Sequence, residues 1–249
     1  MYEHQIQHFL QRHGYICVEP KAALIDMDGT LYDSMPGHAD AWVTMMAEQG
    51  IAVDRDEFFR FEGRTGASTI NILFNRVYGR DATAEEVERL YRRKTELFAA
   101  MPPEGPMPGA MDMLSFLRSV GVECVLVTGS GQRTLIDRIS RDFPGVFAPG
   151  HMITSRDVRH GKPHPEPYFK GMDLIDRRPD ECIVIENAPL GVAAGDAAGA
   201  FTIGVSTGPI PKSELTDAGA ALVFDSMQEC AEAMPVVIYG LLTTRRNLN

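Results

Sequence analysis

The segment Leu24–Ser34 reads LIDMDGTLYDS. An apolar run ends by setting Asp26 and Asp28 two residues apart, directly before Gly29. Carboxylates held that close repel one another, so something must reward their placement. The run itself, Ala22 to Met27, is short and apolar, and similar segments recur at Val122–Val127, Cys182–Ile185 and Phe201–Val205. Runs of this kind predict strands buried on both faces of a parallel sheet. Helical patterns lie between them: GAMDMLSFLRSVG with Gly121 as a stop, QRTLIDRISRDF ending before Pro144, PEPYFKGMDLID, and PLGVAAGDAAGA. Strands alternating with helices predict an α/β, doubly wound parallel sheet.

One region breaks the rhythm. From about His38 to Met101 the patterns are helical only, including AWVTMMAEQG, STINILFNRVYG and AEEVERLYRRKTELFAAM. This predicts an inserted helical subdomain over 36–105, with the α/β core formed by 1–35 and 106–249. The proline-rich MPPEGPMPG on its far side, with Asp33 to Gly37 on the near side, makes a stiff pair of connections. Such an insertion is placed to close over the strand ends as a lid. Ahead of the core, residues 1–17 place Ile6, Phe9 and Leu10 on one helical face, which predicts a short amphipathic helix docked on the body, with His4, His8 and His13 solvated.

At 249 residues and 44% hydrophobic, the chain can bury a substantial core. A net charge of -10 offers no basic field for a polyanion, which argues against nucleic-acid binding. Cys17, Cys124, Cys182 and Cys230 are scattered without a CxxC or a His-rich partner, so they predict reduced thiols rather than a disulfide frame or a zinc site. No window approaches the length of a membrane span and the N-terminus lacks a signal-peptide pattern, so a cytoplasmic location is expected. Nothing in the pattern fixes an oligomeric state.

In open α/β sheets ligands bind beyond the carboxyl ends of the strands. The first apolar run ends in Asp26 and Asp28, and the second in Thr128, Gly129 and Ser130, where a hydroxyl and a flexible backbone before a helix suit an anion such as phosphate. Lys162, in HGKPHPEPY, brings positive charge on a loop before a helix, and the run ECIVIENAPLG ends in Glu186 and Asn187. Oxygen donors of this kind suit Mg²⁺, which takes one or two carboxylates plus substrate phosphate and would offset the repulsion between the aspartates. An aspartate so placed can attack phosphorus, and a second can act as acid and base in turn. Lys162, Thr128 and the metal would then stabilise charge on the equatorial oxygens. Each residue also has a plainer reading: Asp-Gly favours turns, Thr128 and Ser130 suit helix caps, and Glu186 suits a helix N-terminus.

DMDGTLYDS, TGS, GKP and IENAPLG, in that order, resemble the four motifs of the haloacid dehalogenase superfamily, and the helical insertion after the first resembles its β-phosphoglucomutase-like branch. The resemblance implies Asp26 as nucleophile, Asp28 as acid and base, Thr128 and Lys162 as phosphate ligands, and Mg²⁺ held by Asp26, the Asp28 carbonyl, Glu186 and Asn187. His38 and Lys94 resemble cap-side positions of that branch. Two departures stand out. Asn187 occupies a place where the branch commonly has an acid, which predicts weaker Mg²⁺ binding or greater reliance on Glu186. Arg64, in GRTGAST, stands earlier in its loop than the branch's cap arginine, with Gly66 nearer that place.

The function expected is an Mg²⁺-dependent phosphohydrolase acting on a small phosphorylated metabolite such as a sugar phosphate. A phosphosugar mutase is the near alternative, and a phospho-acceptor signalling module the distant one. Such a module needs about half this length and no lid. Dehalogenase and phosphonate chemistry have no use for Asp28 as an acid.

Overall fold

The computed structural model describes residues 1–102, 105–131 and 133–247, the stretch 133–137 by its backbone alone. Six parallel strands form its sheet: β1 (Ala22–Ile25), β2 (Glu123–Val127), β3 (Phe147–Ile153), β4 (Cys182–Glu186), β5 (Phe201–Val205) and β6 (Leu222–Phe224). Their spatial order is β3-β2-β1-β4-β5-β6. The order reverses between β1 and β4, and it is beyond the carboxyl ends of strands at such a switch point that a crevice opens. Ala22 pairs with Glu123 on one side and Cys182 on the other, so the strand carrying the aspartates is central.

Helices cover both faces, and β1, buried throughout, sends alternate side chains to opposite sides. Ala23 and Ile25 join a core with α1 (Glu3–His13), α6 (Ala110–Ser119), α7 (Arg133–Asp142) and α11 (Met227–Thr243). Ala22 and Leu24 face the opposite core, with Tyr168 and Met172 of α8 (Glu166–Leu174) and Ala194 of α9 (Pro189–Ala197). A last short helix, α10 (Lys212–Asp217), leads into β6.

The helical region predicted between the first two strands comprises α2 (Met35–Ala47), α3 (Glu57–Arg60), α4 (Gly66–Tyr78) and α5 (Ala84–Ala99), with no strand among its described residues. Thr83 and Glu86 form a reciprocal capping box that starts α5. These helices bury Trp42, Met45, Met46, Phe58, Leu73, Phe74 and Leu90 in a separate cluster, which Ile210 of the α/β core also joins. The chain returns beside its exit, where Met107 N–H donates to Leu31 O at 2.8 Å. Pro103 and Glu104 of the proline-rich return, and Gln132 of the helix predicted over 132–143, lie outside the described residues.

The amphipathic N-terminal helix docks as expected, with Ile6, Phe9 and Leu10 buried and Phe9 edge-on to Phe201 at 5.0 Å between ring centroids. His13 corrects the expectation that all three N-terminal histidines are solvated. It stacks on Tyr15 and its Nε2 lies 2.9 Å from Asp196, because Gly14 turns the chain back over the body there. His4 and His8 are exposed. Burial pushes the thiols of Cys124, Cys182 and Cys230 up to about 12, and all four cysteines are free. Among the described residues no helix is long and apolar enough to cross a membrane.

Candidate active site

The carboxyl ends of the central strands converge on one cleft, roofed by the helical insertion. Asp26, Asp28, Thr128, Gly129 and Ser130 line it from the sheet side; His38, Glu62, Arg64 and Lys94 line it from the insertion. Lys162, Glu186 and Asn187 form its buried floor, where Lys162 bonds to Asp26 and Asn187 to Glu62 of the wall. The structure therefore brings together every site residue named from the sequence.

Lys162 is the hub of the floor. Its ammonium donates to Asp26 Oδ1 and Glu186 Oε1, both at 2.5 Å, and to the Val127 carbonyl at 3.1 Å. Burial disfavours its charge, but the two carboxylates outweigh this and hold the lysine protonated far above its usual range. Tyr168 adds a hydroxyl donated to Glu186 Oε1 at 2.7 Å, while Glu186 Oε2 accepts from the backbone N–H groups of Asn187 and Ala188. The helix-start use of Glu186 thus coexists with its pairing to Lys162. The close packing explains the last glycine of IENAPLG: a Cβ on Gly191 would stand 1.9 Å from Glu186 Oε1.

Asp28 belongs to a separate chain of contacts. Its Oδ1 accepts from Ser34 Oγ at 2.7 Å and from His38 Nε2 at 3.2 Å, and His38 Nδ1 lies 2.5 Å from Lys94 Nζ. Since an ammonium has no acceptor, Lys94 donates to Nδ1, and the imidazole is the neutral tautomer with its proton on Nε2. Burial, reinforced by Lys94, pushes the His38 pKa down, which agrees with that assignment. Burial also pushes Asp28 up, but His38, Ser34 and Lys94 together outweigh it and hold the carboxyl below its usual range. Lys94 is only 4% exposed, sits 5.2 Å from the Phe98 ring centre and 5.5 Å from that of Trp42, and burial brings its pKa down to about 8 despite Asp28.

Thr128 Oγ1 accepts from the Ser130 backbone N–H at 3.0 Å, the turn-capping use, while its side chain still borders the cleft. Arg64 rests against the Phe61 ring, and its buried Nε has no hydrogen-bond partner among the described residues. Gly29, at φ +78, permits the turn after Asp28; a Cβ there would meet Asn187 Nδ2 at 2.1 Å.

Glu62, Ser34 and Tyr168 are site residues that the sequence did not single out. Glu62 precedes the GRTGAST loop, and its Oε2 accepts from Asn187 Nδ2 at 2.9 Å, while Thr30 Oγ1 donates to Asn187 Oδ1 at 3.0 Å. Burial first, and then the charges of Asp26, Glu186 and Asp28, push the Glu62 pKa well up. Asp26 is raised by burial and by its acidic neighbours in spite of Lys162. Two buried carboxylate oxygens, Asp26 Oδ2 and Glu62 Oε1, have no hydrogen-bond partner among the described residues. Four acidic side chains thus share the cleft and its floor with two lysines and Arg64, an excess that a bound cation would relieve.

A parallel sheet with this strand order, carrying paired aspartates, a hydroxyl, a lysine and an acid–amide pair at its carboxyl edge, defines a phosphoryl-transfer type of centre. Residues 20–199 match the family of haloacid dehalogenase-like hydrolases, and the chain belongs to that family of enzymes. It is 32% identical over 188 residues to hexitol phosphatase A of Escherichia coli, covering 75% of this chain and 83% of that protein. It is 27% identical over 196 residues to the β-phosphoglucomutase of Bacillus subtilis, covering 76% and 84%. A solved structure from Bacteroides vulgatus, provisionally named a β-phosphoglucomutase, superposes with a TM-score of 0.93 at 45% identity, over 97% of this chain and 98% of that one.

Proposed function

We propose that this enzyme is an Mg²⁺-dependent phosphohydrolase of small phosphorylated metabolites, sugar phosphates foremost, working through a phosphorylated Asp26. The observation that carries the reading is Asp26 itself. Lys162 fixes its Oδ1, its Oδ2 is buried and unpaired among the described residues, and the residue lines the cleft. In the first half-reaction Oδ2 attacks phosphorus, the bond to the leaving oxygen breaks, and Asp28 gives that oxygen a proton. In the second, Asp28 takes a proton from water, the water oxygen attacks the same phosphorus, and Asp26 is released as a carboxylate. The contacts of Asp28 favour its ionised form, as the second half requires; a phosphate dianion beside it works in the other direction and favours the acid for the first half. Thr128 and the Gly129 backbone line the cleft, where they would hold the transferring oxygens.

The donor set fits a hard divalent cation. Glu62 Oε1 is a second orphaned oxygen, and with Asp26, the Asp28 carbonyl and the Asn187 amide oxygen it would hold Mg²⁺. Such an ion supplies Lewis-acid stabilisation of the phosphoryl oxygens. On this reading Glu62 contributes the carboxylate that Asn187 lacks. Glu186 can join the ligands only by giving up Lys162, Tyr168 or an amide, so its role is to hold Lys162 in place. The helices α2–α5 act as a cap over residues 36–105, and because Glu62 comes from it, closing the cap and completing the ion site are one event.

Hexitol phosphatase A and the glycerol-1-phosphate phosphohydrolases of Saccharomyces cerevisiae among the relatives favour hydrolysis of phosphorylated polyols and sugars. Phosphate release is to be measured across hexose, hexitol and glycerol phosphates, with inorganic pyrophosphate included, in Mg²⁺ or EDTA, for wild type and Asp26→Asn. Magnesium-dependent turnover, lost by about a thousandfold or more on substitution, is expected. Turnover that survives Asp26→Asn overturns the mechanism. Isomerisation of a hexose 1-phosphate only with a bisphosphate primer replaces it with the mutase reading.

A further inference from the structure

Beyond the cleft, the loop that carries Lys162 has a second face. His160 and His164 stand two residues to either side of Lys162, both exposed, and Glu166 begins α8 just after them. One possible ligand atom from each of the three lies within 4.8 Å of those of the other two. We propose that His160, His164 and Glu166 form a binding site for a borderline transition-metal dication such as Zn²⁺, separate from the oxygen-lined centre.

Glu166 is already positioned for this. Its Oε1 accepts the Arg159 backbone N–H at 2.9 Å and its Oε2 that of His160 at 3.0 Å. These backbone bonds, the first of them largest, hold the carboxyl down at about 2, so it is an anion at every working pH. His160 Nδ1 lies 3.0 Å from the same Oε2. That spacing is close to the ligand–ligand edge of a tetrahedral zinc site, whose bonds run to about 2.0–2.1 Å. A dication entering there takes the place of the proton between nitrogen and oxygen, and the neutral ring then carries its one proton on Nε2. His164 approaches from the other side with its ring 4.8 Å from that of His160 between centroids. Its Nδ1 accepts the Glu166 backbone N–H at 3.1 Å, so recruiting the ring costs a small turn and one exposed hydrogen bond. Water fills the fourth position. Two imidazoles select Zn²⁺, Ni²⁺ or Cu²⁺ over Mg²⁺, whose preference is for oxygen. Occupancy ties the loop on both sides of Lys162 to the first turn of α8.

The test is calorimetric titration of the chelator-stripped full chain with Zn²⁺ in saturating Mg²⁺, for wild type, the double variant His160→Asn with His164→Asn, and Asp26→Asn. Asparagine at 164 keeps an acceptor for the Glu166 amide. Wild type and Asp26→Asn are expected to bind one equivalent, and the double variant to bind about tenfold more weakly or worse. At a hundredfold excess over its dissociation constant, Zn²⁺ should raise the Tm of wild type by on the order of 5 °C. No binding by wild type, equal binding by the double variant, or loss of binding in Asp26→Asn each overturns the proposal. Paramagnetic Co²⁺ gives a reading that needs no substitution. The ring signals of His160 and His164 should broaden while those of His4 and His8 persist; the reverse pattern refutes the site.

Discussion

Replacing Lys94 by Met tests whether the contact chain behind Asp28 is held at a cost to the fold. Met fills nearly the volume of the lysine stem between Trp42 and Phe98 but brings no charge. In the folded protein Lys94 loses its proton near pH 8, and in the unfolded chain near 10.5. At about 1.4 kcal/mol for each tenfold, that difference makes the charged lysine unfavourable to folding by about 3 kcal/mol at pH 7. Against this stands His38 Nδ1, left without its donor in the variant, at roughly 1–2 kcal/mol. Lys94→Met should therefore be more stable than wild type at pH 7 by about 1–2 kcal/mol, or about 4 °C in Tm. The sign changes at high pH. Between pH 8 and 10.5 the unfolded wild type binds more protons than the folded form, so wild-type stability rises through that window relative to the variant. Above it the lysine is neutral in both states and only the orphaned His38 remains, so the variant becomes the less stable. Phosphate release should fall at every pH, since His38 no longer has a fixed tautomer. Thermal melts of both proteins at pH 7 and 10.5 decide the matter; a difference of one sign at both values refutes the argument.

Glu62→Gln should weaken Mg²⁺ binding by about tenfold or more, measured calorimetrically, and Asn187→Asp should partly restore it in the same background; unchanged affinity in Glu62→Gln removes Glu62 from the ion site. Gly191→Ala places a methyl against Glu186 and should cost on the order of 1–3 kcal/mol in stability while reducing phosphate release sharply, because Lys162 moves with Glu186. Phe9→Ala should lower Tm by roughly 10 °C, from the about 3–5 kcal/mol lost when a fully buried ring is removed, without changing KM. A smaller shift would mean that the N-terminal helix packs loosely.

The strands that carry the site were legible because each is a short, fully buried apolar run, and the motifs follow them directly. β3 and β6 gave no such signal. FAPGHMI contains Pro149 and Gly150 and is largely exposed at one sheet edge, and LVF is three residues long at the other. α3, with four residues, is too short for a helical period to appear. At the site, Asp26, Asp28, Thr128, Lys162, Glu186 and Asn187 could be read because the chemistry is local to each strand end. Glu62 could not, since its partner Asn187 is 125 positions away. The one available clue was indirect: an amide where an acid is usual leaves a missing charge for some other residue to supply. Ser34 lay inside the opening segment itself, yet nothing in LIDMDGTLYDS says that the chain folds back far enough for its hydroxyl to reach Asp28. Tyr168 lies within the helical pattern PEPYFKGMDLID, and nothing local to that pattern says that its hydroxyl reaches Glu186.

The position of β1 in the sheet also sets the order of events while the chain is being made. Both of its neighbours are encoded far downstream, the nearer beginning at Glu123 and the farther at Cys182. Helices α2–α5, with their own buried cluster, are complete before either has left the ribosome. The aspartate-bearing strand must then wait, unpaired and apolar, while an already compact helical unit emerges behind it, and pairings this distant in sequence close slowly. Stalled nascent chains ending near residue 150 should accordingly protect the helical unit from protease and leave residues 22–27 open to chaperone capture. The lid is finished before there is a cleft for it to cover.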